Sequence, residues 1–230
     1  MCRALAIETS GRTGSIALVD DERVMVEDEF PHGLQHAAEM IPRIDRLCHD
    51  RGWSPQDIEE LYVSAGPGSF TGLRIGITLA KTLAFATGAR IVAVPSIRVL
   101  AHNAPPEANE LIIVLDAKRN QIFTARLLRA EQGWIEAEPA HLDDLGSMLV
   151  RAGRPVHLLG DGIPHHQKFI PPGDPGIVLT PPETWRPRAA AVASEGVRLS
   201  AAGAFTDPDR LTPIYIRKPE AEEKWEQGRR

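Results

Sequence analysis

The sequence predicts an α/β protein of two related lobes, each with a mixed sheet flanked by helices. Three observations carry this prediction: short apolar runs that end at a carboxylate, helices with one apolar face, and the same order of elements in both halves of the chain. At 230 residues the chain is long enough for one large domain or two small ones. We predict an N-terminal lobe over residues 1–104 and a C-terminal lobe with a terminal tail over residues 105–230.

The first half begins with a predicted three-stranded meander. Residues 4–7 are an apolar run that ends at Glu8, a turn-like stretch follows, and residues 16–19 and 24–26 form two further strands. Ser54 is predicted to cap a helix before the strand at residues 61–64. Between the strand at residues 24–26 and Ser54, apolar residues repeat at three- and four-residue spacing, which places them on one face of a helix. These residues are Ala37, Met40, Ile41, Ile44, Leu47 and Cys48.

The second half repeats this order after a linker at residues 102–110. A strand at residues 111–115 ends at Asp116, and a polar turn leads to a second strand at residues 121–128. A predicted helix follows, with an apolar face made of Leu142, Leu145, Met148 and Leu149. A further strand then ends at a glycine turn that contains Asp161. This order resembles the organisation of the actin-like, ASKHA (ribonuclease H-like) fold, and a fold alone does not establish function.

Composition excludes several classes of protein. The net charge of -5 argues against a chain that grips nucleic acid by itself, because such binding depends on neutralising phosphates. Two cysteines, Cys2 and Cys48, are too few for a disulfide framework and have no zinc-site spacing. The chain contains no window near the roughly 20 apolar residues that span a bilayer, and its start breaks into charge too soon for a signal peptide. We therefore expect a cytoplasmic protein without membrane contact.

A glycine-rich stretch at residues 66–76 is the most informative part of the chain. Its glycines permit backbone geometry that other residues avoid, and Ser69 or Thr71 is placed to cap the helix that follows. A helix N-terminus behind such a loop suits an anion such as phosphate, although the Gly-Lys-Ser/Thr of a Walker loop is missing. The alternative is a tight strand-to-helix turn whose glycines let the helix pack closely. The residues alone leave both interpretations open.

As a string of residues, the glycine-rich stretch closely resembles the signature of the TsaB (YeaZ) family. Residues 7–10 with 15–18 are similar to the opening hairpin of that family, residues 116–123 to its central element, and residues 215–217 to its terminal Tyr-Leu-Arg. The resemblance spans nearly the whole chain and is weakest over residues 162–208. The central element departs from the family pattern at Lys118, Asn120, Gln121 and Phe123.

The resemblance implies a non-catalytic subunit that binds TsaD, together with the ATPase TsaE, in the complex that makes N6-threonylcarbamoyladenosine next to the tRNA anticodon. The family pairs through helices of the first lobe, and a homodimer through the same helices is an open alternative. The tRNA would be reached only through the complex. The residues expected at the partner interface are Met40, Ile44, Leu47, Leu73, Ile77 and Lys81. Each apolar one could instead face the chain's own core.

Nucleotide binding is a separate expectation. The resemblance implies ATP or ADP at or near the partner interface, with no cofactor required by the chain itself. The residues that could contact nucleotide or phosphate are Glu8, Thr9, Ser10, Gly66, Gly68, Ser69, Thr71 and Asp116. Glu8, Asp116 and Asp161 are the carboxylates that the repeat places well for chemistry, and independent ATP hydrolysis is not expected.

We predict neither catalytic residues nor a metal site. TsaD relatives hold a metal with two histidines four residues apart, after the strand that here is residues 91–94, and no histidine occupies residues 95–100. His32 and His36 have that spacing but lie at the predicted helix start, and His165 and His166 are adjacent and so diverge. A stand-alone ASKHA-fold ATPase or phosphotransferase is the alternative function, and a glycoprotease-like metallopeptidase is a less favoured one. The tail at residues 219–230 has no assigned role, although Trp225 could anchor it to a partner.

Overall fold

The computed structural model of the chain describes residues 2–31, 36–131 and 133–217. Its first sheet contains β1 Arg3–Glu8, β2 Thr13–Asp20, β3 Arg23–Pro31, β4 Glu60–Gly66 and β5 Arg90–Pro95. Its second sheet contains β6 Glu110–Asp116, β7 Ile122–Ala130, β8 Gly133–Asp143, β9 Val156–Leu159 and β10 Ile177–Leu179. The helices are α1 His36–Asp50, α2 Phe70–Thr87, α3 Ser96–Ala101, α4 Leu145–Arg151, α5 Ile163–His166 and α6 Ala189–Ala201.

The two sheets have the same topology. The first has the strand order β3-β2-β1-β4-β5. The second, read in the matching direction, has the order β8-β7-β6-β9-β10. In each sheet the first strand pairs antiparallel with the next strand in sequence and parallel with the strand that follows a helix. The prediction of two related lobes with mixed sheets is confirmed.

The first sheet is covered by helices on both faces. Because successive side chains of a strand point to opposite faces, Leu5 and Ile7 of β1 pack towards α1 and α2, whereas Ala4 and Ala6 pack towards α6. The α6 face is lined by small residues, so this helix lies close to the sheet. Gly196 of α6 sits against the ring of Tyr62, where a Cβ atom would come within 3.0 Å of that ring.

The second sheet is also buried on both faces. Ile97 and Leu100 of α3 pack on one face, and Leu145 and Met148 of α4 pack on the other. Since α3 also contacts β4, β5 and α6 of the first lobe, it lies between the two lobes. None of the described helices is long and apolar enough to cross a membrane.

The chain returns to the first lobe after β10. Helix α6 packs on the first sheet, Thr206 pairs with Ile91 at the edge of that sheet, and the Ile214 amide donates to the Ala65 carbonyl oxygen. The prediction of one C-terminal lobe over residues 105–230 is therefore corrected for the residues from α6 onward. A helical pattern shows which face of a helix is apolar, but not which sheet that face will cover.

Two predicted element boundaries also shift. Ser54 precedes only a short 3-10 helix, Pro55–Asp57, in which the Asp57 carboxylate accepts from the Ser54 amide at 2.6 Å. Leu142 belongs to the end of β8 rather than to the helix predicted around it, and α4 begins after the cap residue Asp144. The Asp144 carboxylate accepts from the Ser147 amide at 2.9 Å, which satisfies one free amide of the first turn.

Candidate functional site

The glycine-rich loop connects β4 to α2 at the mouth of the cleft between the lobes. Ser69 is the N-cap of α2, and its hydroxyl accepts from the Gly72 amide at 3.2 Å. The Ser69 amide in turn donates to the Ser10 carbonyl oxygen at 2.7 Å. Ser69, rather than Thr71, therefore caps the helix. The cap is tied to the turn between β1 and β2.

The glycines of this loop allow the helix to approach that turn closely. A Cβ atom at Gly68 would lie 2.5 Å from the Ser10 carbonyl oxygen. One at Gly72 would overlap the Thr9 carbonyl oxygen, and one at Gly76 would overlap the Thr9 hydroxyl. Contacts this short are too close for any side chain, so the loop needs glycine for packing whether or not an anion binds there.

Glu8 lies behind this loop and does not reach the cleft. Its carboxylate is fully buried and accepts from the Ser10 amide at 2.5 Å and from the Ser64 hydroxyl. The Ser96 hydroxyl lies 3.2 Å from that of Ser64 and also accepts from the Gly66 amide. Burial raises the pKa of the Glu8 carboxyl above its ordinary value, and these hydrogen bonds only partly oppose the effect. The group ties β1, β4 and α3 together.

The cleft itself is a small cavity of about 270 Å³. Four of the eight residues predicted to contact nucleotide or phosphate line it: Ser10, Gly68, Ser69 and Asp116. The other four do not line it. Glu8, Thr9 and Gly66 are buried behind it, and Thr71 is exposed on the first turn of α2. The cleft is also lined by residues outside the predicted set, including Arg12, Lys118, Phe123 and Asp161.

The charged groups of the cleft are largely engaged with one another. Burial alone would raise the pKa of Asp116, but hydrogen bonds from the Lys118 side chain at 2.8 Å, the Lys118 amide and His166 lower it to about 2. Burial raises the pKa of Asp161, partly opposed by the Arg12 guanidinium at 3.9 Å. Arg12 also lies 3.0 Å from the His165 ring. The Asp116 carboxylate in the cleft is therefore ionised at neutral pH and already has a cation, Lys118, beside it.

The described residues contain no group of three or more histidine, cysteine or acidic side chains placed to hold a metal ion. His165 contacts Arg12, whereas His166 is buried against Asp116 and Phe169, so the adjacent pair diverges. His32, together with the side chain of His36, lies outside the described part of the chain. Trp225 and the tail at residues 219–230 lie outside it as well.

Most of the residues predicted at the partner interface lie in the chain's own core. Met40, Ile44 and Leu47 of α1 and Leu73 and Ile77 of α2 are all buried between these helices and the first sheet or the loop beside it. Lys81 is half-buried, and its ammonium group lies 3.5 Å from the Leu211 carbonyl oxygen. A buried side chain cannot meet a partner without unpacking the core, so these five apolar positions are corrected to core residues.

The outer surface of the same two helices carries an apolar groove that shares only Met40, at its buried floor, with the predicted set. A groove of about 340 Å³ runs between α1 and α2, and its lining is mostly apolar: Met40, Ile41, Arg74, Ile75, Thr78, Leu79 and Thr82. Ile41 is 58% exposed, and Phe85, one turn beyond Thr82, is 95% exposed. A more open pocket of about 800 Å³ continues past Phe85 towards Arg90 and Phe205. Exposed apolar residues gathered along one groove mark an interaction surface more often than scattered ones do.

Comparison with known proteins agrees with this architecture. A family model described as TsaD, tRNA N6-adenosine threonylcarbamoyltransferase, matches residues 33–169. YeaZ from Pseudomonas aeruginosa superposes with a TM-score of 0.79 over 94% of this chain and 100% of that chain, at 22% identity. A second P. aeruginosa structure, an uncharacterized protein with similarity to peptidase YeaZ, gives a TM-score of 0.81. Fold and cleft together define a two-lobed protein of the actin-like, ASKHA class.

Two curated relatives give the family. The tRNA threonylcarbamoyladenosine biosynthesis protein TsaB of Bacillus subtilis (strain 168) is 35% identical over 227 residues, which cover 96% of each chain. The protein of the same name from Escherichia coli (strain K12) is 28% identical over 226 residues and 94% of each chain. The chain belongs to the TsaB (YeaZ) family of tRNA threonylcarbamoyladenosine biosynthesis proteins.

Proposed function

We propose that this chain is the non-catalytic subunit that binds TsaD, and with it TsaE, in the complex that makes N6-threonylcarbamoyladenosine in tRNA. The observation that carries the proposal is the apolar groove between α1 and α2, with Ile41 exposed at its side. A surface of this kind, on the helices through which the family pairs, supplies an apolar centre for an interface.

The cleft supports a non-catalytic role. Its volume of about 270 Å³ is below the ~300–1,000 Å³ of most small-molecule sites, so a nucleotide would have to widen it. Glu8 is buried away from it, and Asp116 is held by Lys118 and His166. Asp161 also lines the cleft, and the Arg12 guanidinium lies 3.9 Å from its carboxylate.

The remaining parts of the proposal concern the nucleotide, the tRNA, the cellular location and self-association. We infer that ATP or ADP is held at or near the TsaD interface rather than by this chain alone. The tRNA is contacted through the complex, in keeping with a net charge of -5 on this subunit. A cytoplasmic location fits a subunit that acts on tRNA. Without TsaD, a second copy of the chain is the expected occupant of the groove.

The experiment measures the affinity of this protein for TsaD from the same organism, together with threonylcarbamoyl transfer to tRNA in the reconstituted mixture. Ile41→Asp places a charge in the groove without entering the core, and we expect it to weaken binding at least about tenfold and to lower transfer in parallel. Ile44 is unsuitable for this purpose because it is 7% exposed, and a charge there would destabilise the fold.

Val150→Asp is the matched control, because Val150 is 86% exposed on α4 of the second lobe. It should bind TsaD as the wild type does, and thermal melting should show both variants folded. Absence of binding by the wild type, or equal binding by Ile41→Asp, would contradict the proposal. ATP turnover by the isolated chain would instead favour the stand-alone phosphotransferase. The metallopeptidase has the least support, because the described residues offer no metal-ligand cluster.

A further inference from the structure

The C-terminal segment at residues 213–217 is anchored to the first lobe at the start of α2. The Ile214 amide donates to the Ala65 carbonyl oxygen at 2.7 Å. The Tyr215 ring stacks on Phe70 with centroids 5.1 Å apart, and the Arg74 Nε donates to the Tyr215 hydroxyl at 2.9 Å. The Arg74 guanidinium also lies 3.9 Å above the Phe70 ring, so three side chains form one stack.

The other end of the segment reaches the second lobe. The Arg217 guanidinium donates to the Ala117 carbonyl oxygen at 2.5 Å and, through its other terminal nitrogen, to the Gln121 side-chain oxygen. Ala117 and Gln121 flank the turn at residues 118–120, which joins β6 to β7. A single guanidinium therefore holds both ends of this turn.

That turn has an unfavourable backbone conformation. Lys118, Arg119 and Asn120 have φ values of 62°, 54° and 59°, three consecutive non-glycine residues in the left-handed region. L-residues adopt this region at a cost, and a run of them persists only where surrounding contacts hold it. The Ala117 amide donates to the Gln121 carbonyl oxygen at 2.9 Å, and Lys168 donates to the Asn120 side chain at 2.9 Å. Arg217 adds to these contacts.

The conformation of the turn determines which charged groups meet in the wall of the cleft. It turns the Lys118 amide and ammonium group back onto the Asp116 carboxylate, at 3.1 and 2.8 Å. If the turn relaxed to ordinary φ values, the direction of the Lys118 side chain would change and Asp116 would lose both donors. Asp116 lines the cleft, so the conformation of the turn decides whether this carboxylate of the cleft wall keeps its hydrogen bonds from Lys118.

We propose that residues 213–217 form a strap that braces the turn at residues 118–120 and thereby keeps Lys118 on Asp116. The strap also links this turn to the groove between α1 and α2, because Arg74, which holds Tyr215, is itself a lining residue of that groove. This second statement rests on the proposed function. A partner that draws the Arg74 guanidinium into the groove would loosen the Tyr215 end of the strap.

Hydrogen exchange followed by mass spectrometry on the isolated protein tests the brace. Arg217→Ala removes the contacts with the turn, and Tyr215→Ala removes the anchor on α2. Both should speed exchange of the Lys118 and Gln121 amides by about tenfold while leaving β1 and β4 protected. Phe205→Ala is the control, because Phe205 belongs to the same C-terminal region but packs under Arg90, with the guanidinium 4.1 Å from the ring centroid.

Unchanged exchange at the turn in folded Arg217→Ala and Tyr215→Ala proteins would overturn the proposal. If either variant also loses protection in β1 and β4, Arg217→Lys and Tyr215→Phe replace it. The lysine keeps the charge but cannot reach both ends of the turn, and the phenylalanine keeps the ring but not the hydroxyl bond to Arg74. In that case the proposal requires that the Lys118 and Gln121 amides exchange faster in Arg217→Lys than in the wild type.

A second measurement with the catalytic partner tests the link to the groove. Complex formation should speed exchange at residues 118–121 of the wild type about threefold or more and should leave that of Tyr215→Ala unchanged. Equal or slower exchange in a wild-type complex that forms would overturn the link, and the first measurement still decides the brace. A wild type that forms no complex contradicts the proposed function and the link together.

Discussion

Glu8 shows how a single residue can look catalytic in sequence and be structural in the fold. The repeat places this carboxylate at the end of the first strand, as it places Asp116 in the second half, and the sequence predicts it as a possible nucleotide or phosphate contact. In the structure its described contacts are hydroxyl and amide groups, and it is fully buried. Burial disfavours the charged form, which is why its pKa is raised.

The raised pKa of Glu8 makes a prediction about stability. A group whose pKa is higher in the folded than in the unfolded state stabilises the fold at low pH, and this contribution is lost as the pH rises through the folded value. Glu8→Gln cannot ionise, so its free energy of unfolding relative to wild type should increase as the pH rises from about 5 to 8. Urea unfolding across that range is the measurement. Glu107→Gln, at an exposed loop position, should show no such trend, and a parallel pH dependence for Glu8→Gln and wild type would contradict the assignment.

Thr9 and Gly76 give a second residue-level prediction. A Cβ atom at Gly76 would overlap the Thr9 hydroxyl, which is buried and has no hydrogen-bond partner in the described part of the chain. Gly76→Ala alone should therefore destabilise the protein by about 1–3 kcal/mol. In a Thr9→Ala background the overlap is gone, and the same change should be neutral or stabilising by up to about 1 kcal/mol through helix propensity. Chemical denaturation of the four proteins measures the coupling, and additive effects would show that the close approach is not the cause.

At the scale of elements, helical periodicity predicted the core better than the interface. The spacing of apolar residues in α1 identifies Met40, Ile44 and Leu47 correctly as one stripe, and that stripe is the one that the helix needs for its own sheet. Ile41 lies at the edge of the same stripe, so one sequence cannot tell which member remains exposed. On α2, Phe85 is a large apolar residue of the last turn, and the structure leaves it 95% exposed.

The turn between β6 and β7 marks a different limit at the same scale. Lys118, Arg119 and Asn120 contain no glycine, so the sequence gives no sign of three left-handed residues in a row. Their conformation depends on Arg217, which lies about a hundred residues later in the chain. Contacts over such separations follow from the fold and not from local propensity, and the family-like motif at residues 215–217 was the one hint that this region had a role.

At the scale of the whole molecule, the repeat of elements was enough to predict two sheets but not how the chain shares its helices between them. The strands and their acidic ends recur in the sequence, whereas the apolar pattern of α6 does not indicate that this helix covers the first sheet.

Glu195 of α6 is 4% exposed and lies 3.4 Å from His102, at the end of α3, and 2.7 Å from Arg198. The neighbouring Arg98 of α3 lies 3.9 Å from Glu195 and 3.1 Å from Glu136 of the second lobe.

This chain of charges predicts a role for Glu195 in joining the lobes. Burial would raise the pKa of Glu195, but hydrogen bonds from Arg198 and His102 outweigh it and lower the pKa to about 2. A lowered pKa means stability that is present above about pH 4 and is lost as the pH falls towards 2. Because its cationic partners are partly solvated, Glu195→Gln should cost about 1–3 kcal/mol at pH 7 and less at pH 3, measured by urea unfolding. Equal stability of the variant and the wild type at pH 7, with Glu107→Gln as the control, would contradict a contribution of Glu195 to holding α6 and α3 together.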